Sequence, residues 1–477
     1  MTQPTRRSFL KHSLEAAAAI TIAGTKSAGR VLGANDVIRV GVCGIHGQGN
    51  AHIKQYLGLD GVQITYLIDP DKSLWESRSK PIKEKYGVAP KCVADIREAL
   101  DDKELDAISV ATPNHWHSLI GVWACQAGKD AYIEKPMAHL VAEGRKVIEA
   151  AQKYKRIVQH GTQQRSSPGR ASEIAAVQSG KYGKLLVSKG YCCKPRWSIG
   201  KKENSKPPAD LDFNIWLGPA PEQPYHGNLV HYNWHWFWDF GNGDIGNQGV
   251  HEMDVARWAI KGATLPTKVW SLGGRFAYED QGQTPNTQMS VMEYGDVLLV
   301  FEVRGLVGKP STFPNRVANE YYTTEGRIEN GMFYPKKGGS PEKLARMDVK
   351  VTPGGAWGSF LHAVRSRKLE DCNAGPDHGH FSSALCHLAN ISYRLGEQVP
   401  FDGKAKLGDN TEVVETFKNL QENLTGVGVK LDKLTYQLGR TLTVDAAKEQ
   451  FTGEGSKEAN ALLTRQYRKP FAMPDKV

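Results

Sequence analysis

The sequence predicts an α/β protein whose N-terminal part is a doubly wound parallel sheet. Three observations carry that expectation. The stretch Val37-Ile-Arg-Val-Gly-Val-Cys43 is a buried-strand pattern that runs straight into the glycine-rich turn Gly44-Ile-His-Gly-Gln-Gly49. Strand and helix patterns then alternate at short intervals, the arrangement of a parallel sheet with crossover helices. A further strand, Tyr132-Ile-Glu-Lys-Pro136, ends in a lysine and a proline. The first feature is a place to lay a pyrophosphate, and the last sets an ammonium group at the end of a neighbouring strand.

The elements follow in chain order. Thr5-Arg-Arg-Ser-Phe-Leu-Lys11 and the apolar stretch from Leu14 to Ala23 match a twin-arginine export signal over residues 1–34. The apolar run is too short and alanine-rich to anchor in a bilayer. The expectation is a periplasmic or otherwise extracytoplasmic protein, with the twin-arginine translocase as a partner during export. Residues 35–160 form the nucleotide-binding domain, with strands at 37–43, 62–68, 105–110 and 131–134. Helical patterns lie at Ala51–Leu57, Asp71–Tyr86, Ala94–Asp101 and Ser118–Ala127. Residues 161–400 mix short strands with loops and make a second domain. Residues 401–477 read as a helical extension, from helical patterns over 409–425 and 443–465.

Composition narrows the partners. The formal charge is +10. Residues 1–34 carry five basic and one acidic side chain, so the remainder is at +6 with no Lys/Arg run. That is ordinary solubility rather than a nucleic-acid surface. No later segment has the roughly 18 apolar residues of a spanning helix. The seven cysteines lack zinc-finger or C-x-x-C spacing and an even count, which argues against a disulfide framework. Cys43 and Cys386 sit in apolar runs as small core residues.

The turn after the first strand is a variant of the dinucleotide fingerprint Gly-x-Gly-x-x-Gly. Gly44 and Gly49 fill the first and third places. His46 occupies the second, and Gly47 is placed to take over the close approach to the pyrophosphate. Asp69 ends the second strand 20 residues after Gly49. A carboxylate there accepts from both ribose hydroxyls and repels a 2′-phosphate, which favours NAD over NADP; the alternative is a turn residue in Asp69-Pro-Asp. Thr112-Pro113-Asn114 and His117 follow the strand at 105–110, at the sheet's carboxyl end where ligands bind. Thr112 or Asn114 can also cap the next helix.

These motifs, in this order, resemble the glucose–fructose oxidoreductase / inositol dehydrogenase family (Gfo/Idh/MocA). The resemblance rests on the Gly-rich turn, Asp69, Ala111-Thr-Pro with His117, and Glu134-Lys-Pro136. It continues through Gln159-His-Gly-Thr-Gln-Gln-Arg165, Trp216-Leu-Gly-Pro219 and Gly246-Asn-Gln-Gly-Val-His-Glu-Met-Asp254. Length and the export signal are similar to those of a secreted bacterial branch. The resemblance implies a Rossmann domain followed by an α/β domain with an open, mostly antiparallel sheet, one face of which often serves a homo-oligomer. A late helix would return toward the first domain. It also implies an NAD-dependent oxidoreductase acting on a secondary alcohol of a sugar, sugar derivative or polyol.

The same resemblance assigns roles. Lys135 would lie beside the nicotinamide and stabilise a developing alkoxide, with Glu134 in the same motif. His251 would handle the alcohol proton, titrating near neutral pH. Asn247 stands where the family usually has aspartate; it cannot act as a base but can orient a hydroxyl. Gln163 and Arg165 would lie near the cleft between domains, Gln163 toward the cofactor and Arg165 toward substrate, although a surface loop explains them as well. Trp234, His235 and Trp236 belong to an aromatic segment that either stacks on sugar faces or is core. His380 would reach the cleft on the late helix, whereas His387 reads as packing. No metal site is expected, because His231, His235 and His251 lack regular spacing. Free NAD is scarce outside the cytoplasm, so the expectation is a retained, recycled cofactor. Two alternatives stand beside the oxidoreductase. One is an NAD-dependent glycosidase working by oxidation, elimination, hydration and reduction. The other is a non-catalytic sugar-binding protein on this scaffold.

Overall fold

The computed structural model describes residues 37–403 and 407–477; the export signal expected over residues 1–34 lies outside the described residues. Strands β1 (Ile38–Cys43), β2 (Val62–Ile68), β3 (Lys91–Val93), β4 (Ala107–Val110), β5 (Asp130–Ile133) and β6 (Val158–His160) form one sheet in the order β3-β2-β1-β4-β5-β6. Every pairing is parallel. The strands are apolar on both faces because helices cover both. On one side Val40, Val42 and Ile64 pack with Ile53 and Tyr56 of helix α1 (Gly47–Leu57). Helices α2 (Trp75–Tyr86) and α3 (Ile96–Leu100) follow β2 and β3. On the other face Ile108 and Val110 pack with Trp116, Leu119 and Ile120 of α4 (Asn114–Gln126) and Val147 of α5 (Val141–Lys153). The order of strands reverses between β1 and β4, so their carboxyl ends open a crevice.

The chain then runs through α6 (Pro168–Gln178) into a twelve-stranded sheet. It contains β7 (Leu185–Cys193), β8 (Lys268–Gly274), β9 (Thr287–Tyr294), β10 (Val297–Arg304), β11 (Arg316–Thr323), β12 (Gly326–Glu329), β13 (Met332–Pro335) and β14 (Glu342–Lys343). Of its pairings only β7 with β10 is parallel. Between β7 and β8 lie three short helices, α7 (Phe213–Leu217), α8 (Gly243–Asn247) and α9 (Gly249–Ala259). Helices α10 (Gly355–Ser366) and α11 (Pro376–Arg394) come next. Both return toward the first domain: Phe360 and Val364 of α10 join the core beneath β1, and α11 lies against α5 and β6.

The large sheet buries both faces. Leu299, Phe301 and Val303 point to α9 and α11; Met289, Val291 and Val300 point to α12 (Thr411–Gly426). Residues 401–477 are not the helical extension expected. After α12 come β16 (Thr435–Leu438), β17 (Leu442–Asp445) and β18 (Gln450–Thr452), and β15 (Glu397–Pro400) pairs with β16. Val444 and Phe451 are seven apart, which mimics a helix repeat. However, Asp445 Oδ1 caps the N–H groups of Ala447 and Lys448, and Glu449 adopts a positive φ of 55°. That turn folds the segment into a hairpin on the β8 edge. Only α13 (Ser456–Ala461) is helical thereafter, and the tail buries Phe471 and Met473 against the first domain. All seven cysteines are free, with Cys43 and Cys386 buried. Among the described residues no helix is long and apolar enough to cross a membrane.

Candidate active site

A cleft opens at the carboxyl ends of β1, β4 and β5. Its floor is the glycine-rich turn. Gly44 has φ +77°, and a Cβ there would stand 2.6 Å from the Thr112 nitrogen. A Cβ on Gly49 would stand 1.7 Å from the Gly44 carbonyl oxygen. These two glycines are structural. Gly47, the first residue of α1, differs: a Cβ would meet nothing within 4 Å. The free N–H groups of the helix start therefore border open cleft, as dinucleotide phosphates require. Thr112 Oγ1 is buried on the same wall without a partner among the described residues. An open backbone cradle and an unsatisfied hydroxyl both fit a bound dinucleotide.

Asp69 lies on the wall but is already engaged. Its Oδ2 accepts from Ile45 N at 2.8 Å and its Oδ1 from Asp71 N at 2.9 Å. Burial raises its pKa to about 6, against the pull of these two bonds. It braces the turn, and its remaining lone pairs face the cleft. His46 stacks on His231 from the second domain, with ring centroids 4.3 Å apart and planes within 3°. His231 Nε2 in turn meets Asp71 Oδ2 at 2.8 Å.

The lysine is set by three strand-end contacts. His117 bridges the carbonyl oxygens of Pro136 (2.7 Å) and Thr112 (2.8 Å), tying the β4 and β5 turns together. Glu134 Oε1 takes contacts from His52 Nε2 (3.2 Å), Gln48 Nε2 (3.0 Å) and Gln163 Nε2 (3.1 Å). Burial opposes its charge, yet the His52 bond and the Lys135 ammonium hold Glu134 well below the usual carboxylate range. Gly161 must be glycine here, since a Cβ would lie 2.9 Å from the Glu134 carboxyl carbon. Lys135 Nζ donates to the Asn247 carbonyl at 2.8 Å and approaches Asn247 Oδ1 at 3.5 Å. Burial lowers its pKa, and the carboxylates of Glu134, Asp244 and Glu252 resist that. Asn247 Nδ2 donates to the Tyr232 hydroxyl at 3.2 Å.

Residues 208–241 form a strap from the second domain over this cleft. At one end Lys72 N donates to Asp210 O and Asp212 N to Pro70 O, both at 2.9 Å. In the middle Trp216 O accepts from Trp116 Nε1 at 3.1 Å and meets His115 Nε2 at 3.0 Å. Arg468 of the C-terminal tail donates to Gly218 O at 3.0 Å. The strap contributes Ile215, Trp216, His231, Tyr232, Trp234 and His235 to the lining. His235 Nδ1 lies 2.6 Å from Tyr232 O, which makes Nδ1 the protonated nitrogen and leaves Nε2 its lone pair. Burial pushes His235 down to about 3, so the ring is neutral.

Most residues expected from the sequence meet here. Gly44, His46, Gly47, Asp69, Thr112, Pro113, Asn114, His117, Glu134, Lys135, Trp234, His235 and Asn247 all line the cleft. Several others do not. Gly49 packs behind the turn, and Gln163 reaches the site only through Glu134. His251 follows Asn247 by one turn but is not on the wall. Burial and then the Lys135 charge push it down to about 3, so it does not titrate near neutral pH. Arg165 is buried on Asp254 (2.9 Å), because the loop after β6 turns inward rather than toward the cleft. Trp236 is buried beneath Arg196, with its carbonyl bound by Gln283 N and Thr284 N. His380 faces away, its Nε2 2.9 Å from Glu449 Oε1, since α11 presents that side to the β17–β18 turn. His387 Nε2 meets Ala138 O in the packing role expected. Sequence reasoning missed His52 and Tyr232 as site residues. The signal for His52 was its place in the buried i, i+3, i+4, i+7 row Gly49, His52, Ile53, Tyr56. Tyr232 gave none beyond its aromatic neighbours. Among the described residues no group of three or more His, Cys, Asp or Glu could hold a metal ion.

The fold and cleft are those of a dinucleotide-binding oxidoreductase, with Lys135 on the cleft wall. Residues 38–162 match the family model for the NAD-binding Rossmann fold of the oxidoreductase family, and 176–288 match that for its C-terminal alpha/beta domain. The chain belongs to this Gfo/Idh/MocA family of NAD-dependent enzymes. It is 27% identical over 439 residues to a "Glycosyl hydrolase family 109 protein 2" of Shewanella sp. (strain MR-4), covering 84% of this chain and 90% of that protein. It is 28% identical over 155 residues to the inositol 2-dehydrogenase of Salmonella typhimurium, covering 32% of this chain and 45% of that protein. Among solved structures it is similar to the WlbA dehydrogenase from Bordetella pertussis in complex with NADH and UDP-GlcNAcA (TM-score 0.55, 14% identity, 75% of this chain and 97% of that one). It is also similar to a levoglucosan dehydrogenase complexed with NADH (TM-score 0.54, 16% identity, 74% and 96%).

Proposed function

We propose that this chain is an exported enzyme that moves hydride between a retained NAD and a secondary alcohol of a sugar, sugar derivative or polyol. The observation that carries the reading is the strap, which covers the cofactor cleft with bonds to the first domain from Asp210 and Asp212, from Trp216 and from His231. A covered cofactor leaves slowly, as an enzyme working where free NAD is scarce requires. The export signal and assembly as a homo-oligomer belong to the same proposal.

NAD supplies the hydride acceptor and donor. The chain's own residues do the rest. Glu134, bonded by Gln48 and Gln163 and held ionised by His52 and by Lys135 itself, supports the ammonium of Lys135. Lys135 donates to the reacting oxygen as negative charge develops there. Asn247 fixes the direction of Nζ and orients the Tyr232 hydroxyl. His235 Nε2, the nitrogen with the lone pair, accepts a hydrogen bond from the substrate hydroxyl, and the proton leaves by way of the exposed Tyr232 hydroxyl to solvent. Trp216 and Trp234 offer apolar faces to a sugar ring.

A second reading is favoured by the glycosyl hydrolase family 109 relative, whose match spans most of both chains. There the same residues would serve a glycosidase in which oxidation is reversed before product leaves. Incubation of the purified protein with aryl glycosides, without added NAD, separates the two. Released aglycone with no net NADH favours the glycosidase. No aglycone, but bleaching of bound NADH by a ketosugar, favours the dehydrogenase.

A further inference from the structure

A second cavity shares no lining residue with the cofactor cleft and is of similar size, about 320 against 280 Å³. It lies between α6, the end of α9 and the segments around 350 and 372. Two arginines stand on its wall, Arg165 and Arg257, only 5% and 4% exposed. Both depend on one carboxylate. Arg165 Nε and Nη2 donate to Asp254 at 2.9–3.1 Å, and Arg257 Nη2 lies 3.6 Å from Asp254 Oδ1. The other Arg257 nitrogens donate to Ser382 Oγ (3.2 Å) and Ala263 O (2.6 Å). Arg165 Nη1 has no protein partner among the described residues. The Arg165 guanidinium lies over Trp258, 4.6 Å from the ring centroid, and Trp258 also lines the cavity.

Two buried guanidiniums against one carboxylate leave an uncompensated positive charge. A buried charge without a partner is costly. A counter-anion in the adjoining cavity would remove that cost. Lys350 stands at the mouth, largely exposed and 3.6 Å from Asp371, with Glu370 also on the rim. Thr352 and Asn373 supply neutral polar walls. A guanidinium with a free nitrogen is suited to carboxylate or phosphate oxygens.

We propose that this second cavity is a binding site for a small oxyanion, held by Nη1 of Arg165 against the Trp258 wall with Lys350 at the entrance. The ligand chemistry is that of a phosphate or of the carboxylate of an organic acid. Saturating NAD fills the phosphate cradle of the first cleft and so removes it as a competing site. The test is calorimetric titration and thermal melting of NAD-saturated protein with inorganic phosphate and, separately, with succinate, against chloride at matched ionic strength. Binding of either is expected, and which one binds identifies the source. Arg165→Gln leaves Asp254 paired with Arg257, and is expected to weaken binding at least about tenfold, the scale of one lost charge-assisted bond. Lys350→Ala, an exposed change, is expected to weaken it several-fold. Responses no greater than chloride for both ligands would overturn the proposal. So would wild-type affinity in Arg165→Gln or, should that variant not fold, in Lys350→Ala.

Discussion

Nζ of Lys135 has two acceptors on a single residue, the carbonyl and side-chain oxygens of Asn247. The ammonium is thus aimed by the second domain although it is carried by the first. Truncation should remove an interaction made mostly with developing charge. Lys135→Ala is expected to lower kcat by about 10²- to 10⁴-fold while bound NAD is retained. Steady-state kinetics with nucleotide analysis of the same preparation checks this. The glycines give a sharper contrast. Gly49→Ala sets a Cβ 1.7 Å from the Gly44 carbonyl and should destabilise by about 2–4 kcal/mol, read by denaturant melts. Gly47→Val meets open space in the protein, so it should leave the melt of the nucleotide-free protein nearly unchanged and lose NAD. Buried imidazoles set the acid limb. Burial pushes His115 and His235 down to about 3 and His387 to about 4. Each is neutral in the fold and protonates in the unfolded chain near 6.5, so the unfolded state binds more protons below that pH. The stability these rings contribute is then full above 6.5 and falls as pH drops toward 4, by up to about 1.4 kcal/mol per pH unit per ring. Urea melts between pH 7 and 4.5 test the sign.

At the scale of elements, the strap decides how long the cofactor stays. His231 links it to Asp71 and stacks on His46 of the glycine turn. His231→Ala removes both contacts, and is expected to raise the NAD dissociation rate at least about tenfold, the effect of a lost charge-assisted bond. Stopped-flow capture of released NAD measures it; an unchanged rate would mean the strap is not the barrier. The same elements show what a single sequence reveals. The first sheet was legible because parallel strands buried on both faces are continuous apolar runs between helical repeats. The cleft was legible for the residues at its strand ends, Gly44, Asp69, Thr112 and Lys135. Contacts between domains were not. His380 was read toward the cleft because the resemblance returns its helix to the first domain, whereas Glu449, 69 residues on, draws it elsewhere. Arg165 was read toward substrate, whereas Asp254 in α9 holds it. The hairpin at 442–452 was hidden by a seven-residue apolar spacing that a turn at Asp445 interrupts. Long-range partners of this kind leave no local period.

At the scale of the whole molecule, the two domains are one catalytic unit. Helices α10 and α11, the strap and the C-terminal tail all return to the first domain. The cleft is therefore assembled by elements from residue 43 to residue 247, with Arg468 of the tail bracing the strap. Under the proposed function such a molecule would gain its nucleotide on folding and leave the cytoplasm with it. The most direct measurement is to purify the native protein without added nucleotide, denature it, and quantify NAD and NADH in the supernatant by absorbance and mass. Stoichiometric nucleotide that survives extended dialysis is the predicted result. Protein that is free of nucleotide and shows no affinity for NAD or NADH on titration would contradict the account.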